Sequence, residues 1–221
     1  MIQELLNKNR DLFGPVLRNQ NNNPKFFIFD LTSTNKELDT VDMSNAEEFT
    51  KYIFSKLPDY DFGIGQYNEE RIIYDHSKVF SGTNRRTIHL GIDLFSNAGV
   101  EVICPFEGTV HSFSNNSSDG DYGPTIILEH ELEGIKFYTL YGHLSLRSLD
   151  PLVEGMKICK GDVVGRLGNY PENGNWPPHL HFQVIADIGN YRGDFPGVAS
   201  SENRNDMLNT CPDPNLILNL F

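Results

Sequence analysis

The sequence predicts a mainly β protein: an antiparallel β-sheet core that carries a groove, plus a small α+β N-terminal extension. Three observations support that class. From Glu101 onward, short apolar runs are separated by turns rich in glycine, proline and asparagine, the pattern of consecutive strands. No long amphipathic helical pattern interrupts those runs. Clear helical signals occur only before residue 85, mixed with strand signals. At 221 residues the chain can bury one substantial core and a small appendage. Residues 1–84 are expected to form an extension packed on the core, residues 85–190 the β domain, and residues 191–221 a C-terminal tail.

In the extension, Glu4 to Phe13 suit a short helix that ends at Gly14-Pro15, and residues 20–24 form a loop. Residues 25–31, Lys-Phe-Phe-Ile-Phe-Asp-Leu, suit a strand. Ser44-Asn45-Ala46-Glu47 has the form of a capping box and precedes Phe49, Tyr52, Ile53 and Leu57 at helical spacing. A helix over residues 46–57 follows. In the core, strands are expected over residues 101–104, 109–113, 125–130, 136–141 and 163–167, with a polar loop over 115–123. A last strand starts at the pair His179 and His181 and continues to residue 186.

That pair is the first chemical signal. On a strand, residues i and i+2 share a face and lie roughly 6 to 7 Å apart. One imidazole can then bind a metal while the other stands beside whatever the metal activates. Taken alone, the pair is equally an edge strand with two solvated histidines. A second element, His89-Leu90-Gly91-Ile92-Asp93, has helical spacing but poor helix formers. On a straight strand His89 and Asp93 would stand roughly 13 Å apart, so a bend or bulge at Gly91 is needed to unite them. His89, Asp93 and one histidine of the pair give three N/O ligands and an open fourth position, the arrangement of a catalytic zinc. His143, in Tyr141-Gly142-His143-Leu144-Ser145, ends an apolar strand and adds another imidazole.

The ordered set of HxGxD, aromatic-x-His-Leu-Ser and His-Leu-His-Phe resembles the lysostaphin/LytM-type zinc metallopeptidases over about residues 87–186. That resemblance implies a lysostaphin-type β fold and one Zn2+, with His89, Asp93 and His181 as ligands and His143 and His179 as the catalytic pair. It implies cleavage of an amide or peptide bond by metal-activated water, the two histidines serving as acid-base and oxyanion groups. Residues 155–165 also resemble a glycine-punctuated segment of the family. The loop 168–178, with Trp176-Pro177-Pro178, and the tail depart from the wall-lytic members. Those departures, with residues 122–128, resemble a cytosolic subgroup in which this module lies between phosphotransferase-like and aminotransferase-like domains.

Composition narrows the partners. A net charge of −12 argues against nucleic acid and anionic membrane surfaces. The start Met1-Ile2-Gln3-Glu4-Leu5-Leu6 lacks the apolar run of a secretory signal, so the expected location is cytoplasmic. Cys104, Cys159 and Cys211 contain no CxxC, which suits reduced thiols in that compartment. His111 and His130 are strand histidines expected to be structural. Two other functions compete with a peptidase: a cytosolic zinc hydrolase of a small amide metabolite, and a non-catalytic module that docks a peptide in the groove. Asn21 to Asn23 or His76 could reach the open metal position from the extension, although a plain surface loop explains them as well.

Overall fold

The computed structural model describes residues 2–18, 23–76 and 85–221, without the side chains of residues 75 and 76. The suggestion that Asn21, Asn22 or His76 reaches the metal position therefore lies outside the described residues. Asn23 is exposed.

The strands are β1 (Phe26–Phe29), β2 (Phe62–Gly65), β3 (Arg86–His89), β4 (Ile92–Phe95), β5 (Glu101–Ile103), β6 (Gly108–Asn116), β7 (Gly123–Leu132), β8 (Ile135–Gly142), β9 (Lys157–Ile158), β10 (Val163–Arg166), β11 (His179–Ile185) and β12 (Val198–Ser200). The helices are α1 (Ile2–Lys8), α2 (Ala46–Ser55), α3 (Arg204–Thr210) and α4 (Asn215–Leu218). Among the described residues, eight strands form one sheet in the order β1-β2-β4-β11-β8-β7-β6-β9. Only the β1–β2 pair is parallel, with α2 in its crossover. The remaining pairs are antiparallel, so the predicted mainly β architecture is what the chain adopts.

The two faces of the sheet have different tasks. Ile64, Ile92, Leu94, Leu128, Tyr141, Leu180, Phe182 and Val184 point to one side and build the main hydrophobic core. On the other side, Asp93, His179 and His181 come forward between two smaller apolar clusters. One contains Phe29, Phe49, Ile53, Ile73, Tyr74 and Phe95. The other contains Ile88, Tyr122, Leu140, Ile185 and Phe195. Strand alternation thus sets a polar site into an otherwise apolar layer.

Several local expectations change. The cap of α2 is Asn45, whose side chain accepts from the Glu47 and Glu48 amides; Ser44 bonds Asp42 instead. Two offset Asx/Ser signals competed here, and the one nearer the helix prevailed. The strand β2, Phe-Gly-Ile-Gly, escapes the sequence because its glycines lack β propensity. Helices α3 and α4 occupy the tail, where no helical pattern stood out.

His130 is a structural residue in β7. It stacks on Phe137 at 5.0 Å and bonds Glu107 O and Thr139 Oγ1. Burial lowers its pKa from 6.5 to about 4. Between those values the unfolded chain binds a proton that the folded chain refuses, so stability falls as pH falls. Apo-protein should lose about 2 kcal/mol through His130 alone between neutrality and pH 5. Denaturant titrations of wild type and His130→Gln at both pH values test this. A stability gap that does not change with pH refutes it.

Candidate metal centre

Pairing register brings the ligand residues together. Asp93 on β4 and His181 on β11 are direct cross-strand partners, so their side chains leave the same face at close quarters. His89 ends β3, and the chain turns at Leu90-Gly91 before β4 begins. That turn answers the spacing problem: the four-residue interval spans a bend, not a straight strand. A Cβ on Gly91 would lie 2.6 Å from His181 Cε1 and 2.8 Å from Phe182 O. Glycine is therefore needed so that the His181 ring can lie against the bend. Gly91→Ala should displace His181 and destabilise the fold by roughly 1 to 3 kcal/mol. Wild-type stability and metal uptake in that variant would show the contact to be soft.

Three donor atoms converge. His89 Nε2 lies 3.0 Å from His181 Nδ1. Asp93 Oδ1 lies 3.2 Å from His89 Nε2 and 3.1 Å from His181 Nδ1. Donors tetrahedrally placed at 2.0–2.1 Å from zinc stand about 3.3 Å apart, so this triangle fits a zinc ion with little adjustment. The opposite ring nitrogens are engaged as well. His89 Nδ1 donates to Gln66 O at 2.8 Å, and His181 Nε2 faces Gln183 Oε1 at 2.9 Å. Each bond fixes the tautomer that leaves the converging nitrogen unprotonated.

His143 and His179 stand beside this triangle with ring centroids 4.2 Å apart. His143 Nδ1 donates to Asn173 O at 2.7 Å and His179 Nδ1 to Pro177 O at 2.6 Å. Both therefore keep an Nε2 lone pair, and His179 Nε2 lies 3.8 Å from Asp93 Oδ1. His143 follows the end of β8 in the left-handed region, with φ of 61°. Its amide donates to Tyr122 O and its carbonyl accepts from Gly168 N, which hold that strained residue in place.

The electrostatics suit metal binding. Burial lowers His89 to a pKa of about 3, and the Arg71 guanidinium acts in the same direction. Burial also lowers His143 and His179, with neighbouring imidazoles adding to the effect. For Asp93, burial would raise the pKa, but His89 and Arg71 outweigh it and hold the carboxyl well below its usual range. Of the four imidazoles at the site, His89, His143 and His179 are thus held neutral beside the buried Asp93 carboxylate.

Several residues of the centre were not foreseen. Gln183 had a signal: His179, His181 and Gln183 alternate along one face of β11. Gln66, Glu69 and Arg71 had none, because their link to Asp93 exists only once β2 pairs with β4. A cleft of about 290 Å³ opens over the histidines. Trp176 and Pro177 line it, as the stiff loop suggested, and Trp176 meets Tyr74 edge-on at 6.2 Å. Phe49, Ile73 and Tyr74 come from the extension, and Phe195 and Val198 from the tail. His111 and His130 do not line the cleft.

A β-sheet domain with a His-Asp-His cluster that could hold a metal ion and two adjacent imidazoles is the class that fold and site define. The profile of peptidase family M23 matches residues 87–192, which hold all five of these residues. No curated protein matches the chain significantly. Among solved structures, the catalytic domain of the antimicrobial peptidase lysostaphin from Staphylococcus simulans is 23% identical, with a TM-score of 0.41; the match covers 60% of this chain and 80% of that one. A putative peptidase M23 from Pseudomonas aeruginosa is 20% identical with a TM-score of 0.38, covering 60% of this chain and 44% of that one. A zinc-containing peptidase from Vibrio cholerae is 23% identical with a TM-score of 0.36, covering 54% and 31%.

Proposed function

We propose that this protein is a zinc-dependent metallopeptidase that cleaves an amide or peptide bond. In this proposal His89, Asp93 and His181 hold the ion, and His143 and His179 are the catalytic pair. The observation that carries it is the convergence of three potential ligand atoms within 3.0–3.2 Å beside two hydrogen-bonded imidazoles. The M23 match over the same residues supports the reaction class.

When bound, zinc supplies a Lewis acid that polarises the scissile carbonyl and activates water. His143 and His179 supply the proton chemistry. A neutral Nε2 accepts the proton of the nucleophile, and the imidazolium so formed returns it to the leaving amine. Its charge also stabilises the developing oxyanion. The Asn173 and Pro177 carbonyls keep each Nδ1 protonated throughout, so only Nε2 takes part.

A second substrate reading has its own support. The cleft is small, about 290 Å³, and the extension and the tail build much of its wall. We infer that these added walls narrow the groove and favour a short amide over a branched wall peptide. We place the protein in the cytosol on its three unpaired cysteines, two of them buried, and we infer from loop 168–178, the tail and residues 122–128 that it resembles the subgroup with phosphotransferase-like and aminotransferase-like partners. Among the described residues, no helix is long and apolar enough to cross a membrane.

The deciding experiment joins metal analysis to hydrolysis assays on glycine-rich cross-bridge peptides, purified cell walls and a panel of small cytosolic amides. Zinc-dependent turnover of a small amide, with weak or no clearing of cell walls, is the expected result. Robust wall clearing that His143→Ala abolishes would overturn the cytosolic substrate and leave the metallopeptidase intact. Peptide binding without turnover of any amide would favour a docking module.

A further inference from the structure

We propose that Arg71, supplied by the N-terminal extension, is a positioning residue of the metal centre that acts through Asp93. The proposal rests on His89, Asp93 and His181 being the metal ligands. Arg71 lies outside the segment that matches family M23, and its side chain is 1% exposed.

Every nitrogen of its guanidinium is engaged. Nη1 meets Asp93 Oδ2 at 2.6 Å and Tyr74 Oη at 3.1 Å, Nε meets Glu69 Oε2 at 2.9 Å, and Nη2 meets Gln66 O at 3.2 Å. The planar fork therefore touches the surroundings of two ligands at once. It occupies the far oxygen of Asp93 and shares the Gln66 carbonyl that orients His89. Glu69 closes the chain by accepting from the Leu31 amide just after β1. Gly65, which faces Asp93 across β2 and β4, leaves the room: a Cβ there would lie 2.7 Å from Arg71 Nη2.

Two consequences follow from the chemistry. With Oδ2 held by the guanidinium, Asp93 offers the ion a single oxygen, Oδ1, which keeps the coordination number low. The buried charges also do not cancel. Glu69 and Asp93 flank one arginine, leaving one net negative charge beside the three converging donors, which favours a cation there. A plain structural ion pair would need only one carboxylate, whereas the second here is the ligand itself.

The test compares wild type, Arg71→Met, Arg71→Lys and the double variant Glu69→Gln/Arg71→Met. Each is titrated with zinc against a coloured chelator, loaded with cobalt(II) for its visible spectrum, and checked for fold by circular dichroism. Arg71→Met should bind zinc ~10- to 100-fold more weakly, the usual scale for loss of a partner behind a ligand. Its cobalt band should weaken as Asp93 turns to offer both oxygens. Arg71→Lys should recover part of the affinity through its charge but not the spectrum, since one ammonium cannot span Oδ2 and the Gln66 carbonyl. If Arg71→Met does not fold, the double variant, which keeps the net charge of the Glu69-Arg71-Asp93 cluster at that of wild type, carries the same expectation. A folded variant without Arg71 that keeps wild-type zinc affinity and cobalt spectrum overturns the proposal alone. Wild-type protein that takes up no zinc overturns both the proposal and the ligand assignment.

Discussion

His181→Ala should lose most of its zinc while remaining folded. The three proposed donors leave no redundancy, since the fourth position must stay open for substrate. The drop in affinity should exceed the ~10- to 100-fold typical of a lost outer partner. Asp93→Ala should lose zinc as completely but at a greater cost in stability. It removes one of the two carboxylates that hold Arg71, 1% exposed, and leaves Glu69 as its ion-pair partner; losing such a buried hydrogen bond to a charged group typically costs about 1.5–3 kcal/mol. Elemental analysis after dialysis, paired with thermal melts, separates the two effects. Full metal occupancy in both variants would sink the ligand assignment.

His143→Ala should keep its zinc and lose activity by roughly 10²-fold or more, the scale of a positioned acid–base group. Residue 143 has φ of 61°, a conformation that alanine adopts less readily than asparagine. His143→Asn therefore serves as the strain control and should be equally inactive. His111→Ala, altered outside the cleft, should affect neither metal nor turnover. If His143→Ala instead strips the metal, the roles of His143 and His181 exchange.

Much of the centre was legible because its signals are local. The period of two along β11 placed His179 and His181 on one face, and Gly91 marked the bend that unites His89 with Asp93. What stayed hidden depends on long-range pairing. Arg71 reaches Asp93 across 22 residues of chain, and the backbone carbonyls that accept from the histidine rings leave no pattern in sequence. The parallel pairing of β1 with β2 was equally illegible, because Phe-Gly-Ile-Gly reads as a turn until β4 presents its edge. Boundaries within the core, by contrast, fell within a few residues of expectation, since glycine and proline turns punctuate each hairpin.

The pairing of β2 with β4 also bears on how this protein can be handled. A fragment cut at the limits of the family match, residues 87–192, would lack β2 altogether. Strand β4, Ile-Asp-Leu-Phe, is buried at every position, and such a fragment would present it as a bare apolar edge with unanswered amides and carbonyls. Edges of that kind recruit strands from other copies. The extension is thus a guard against self-association as well as a wall of the cleft, and a minimal catalytic fragment would fail first by precipitating.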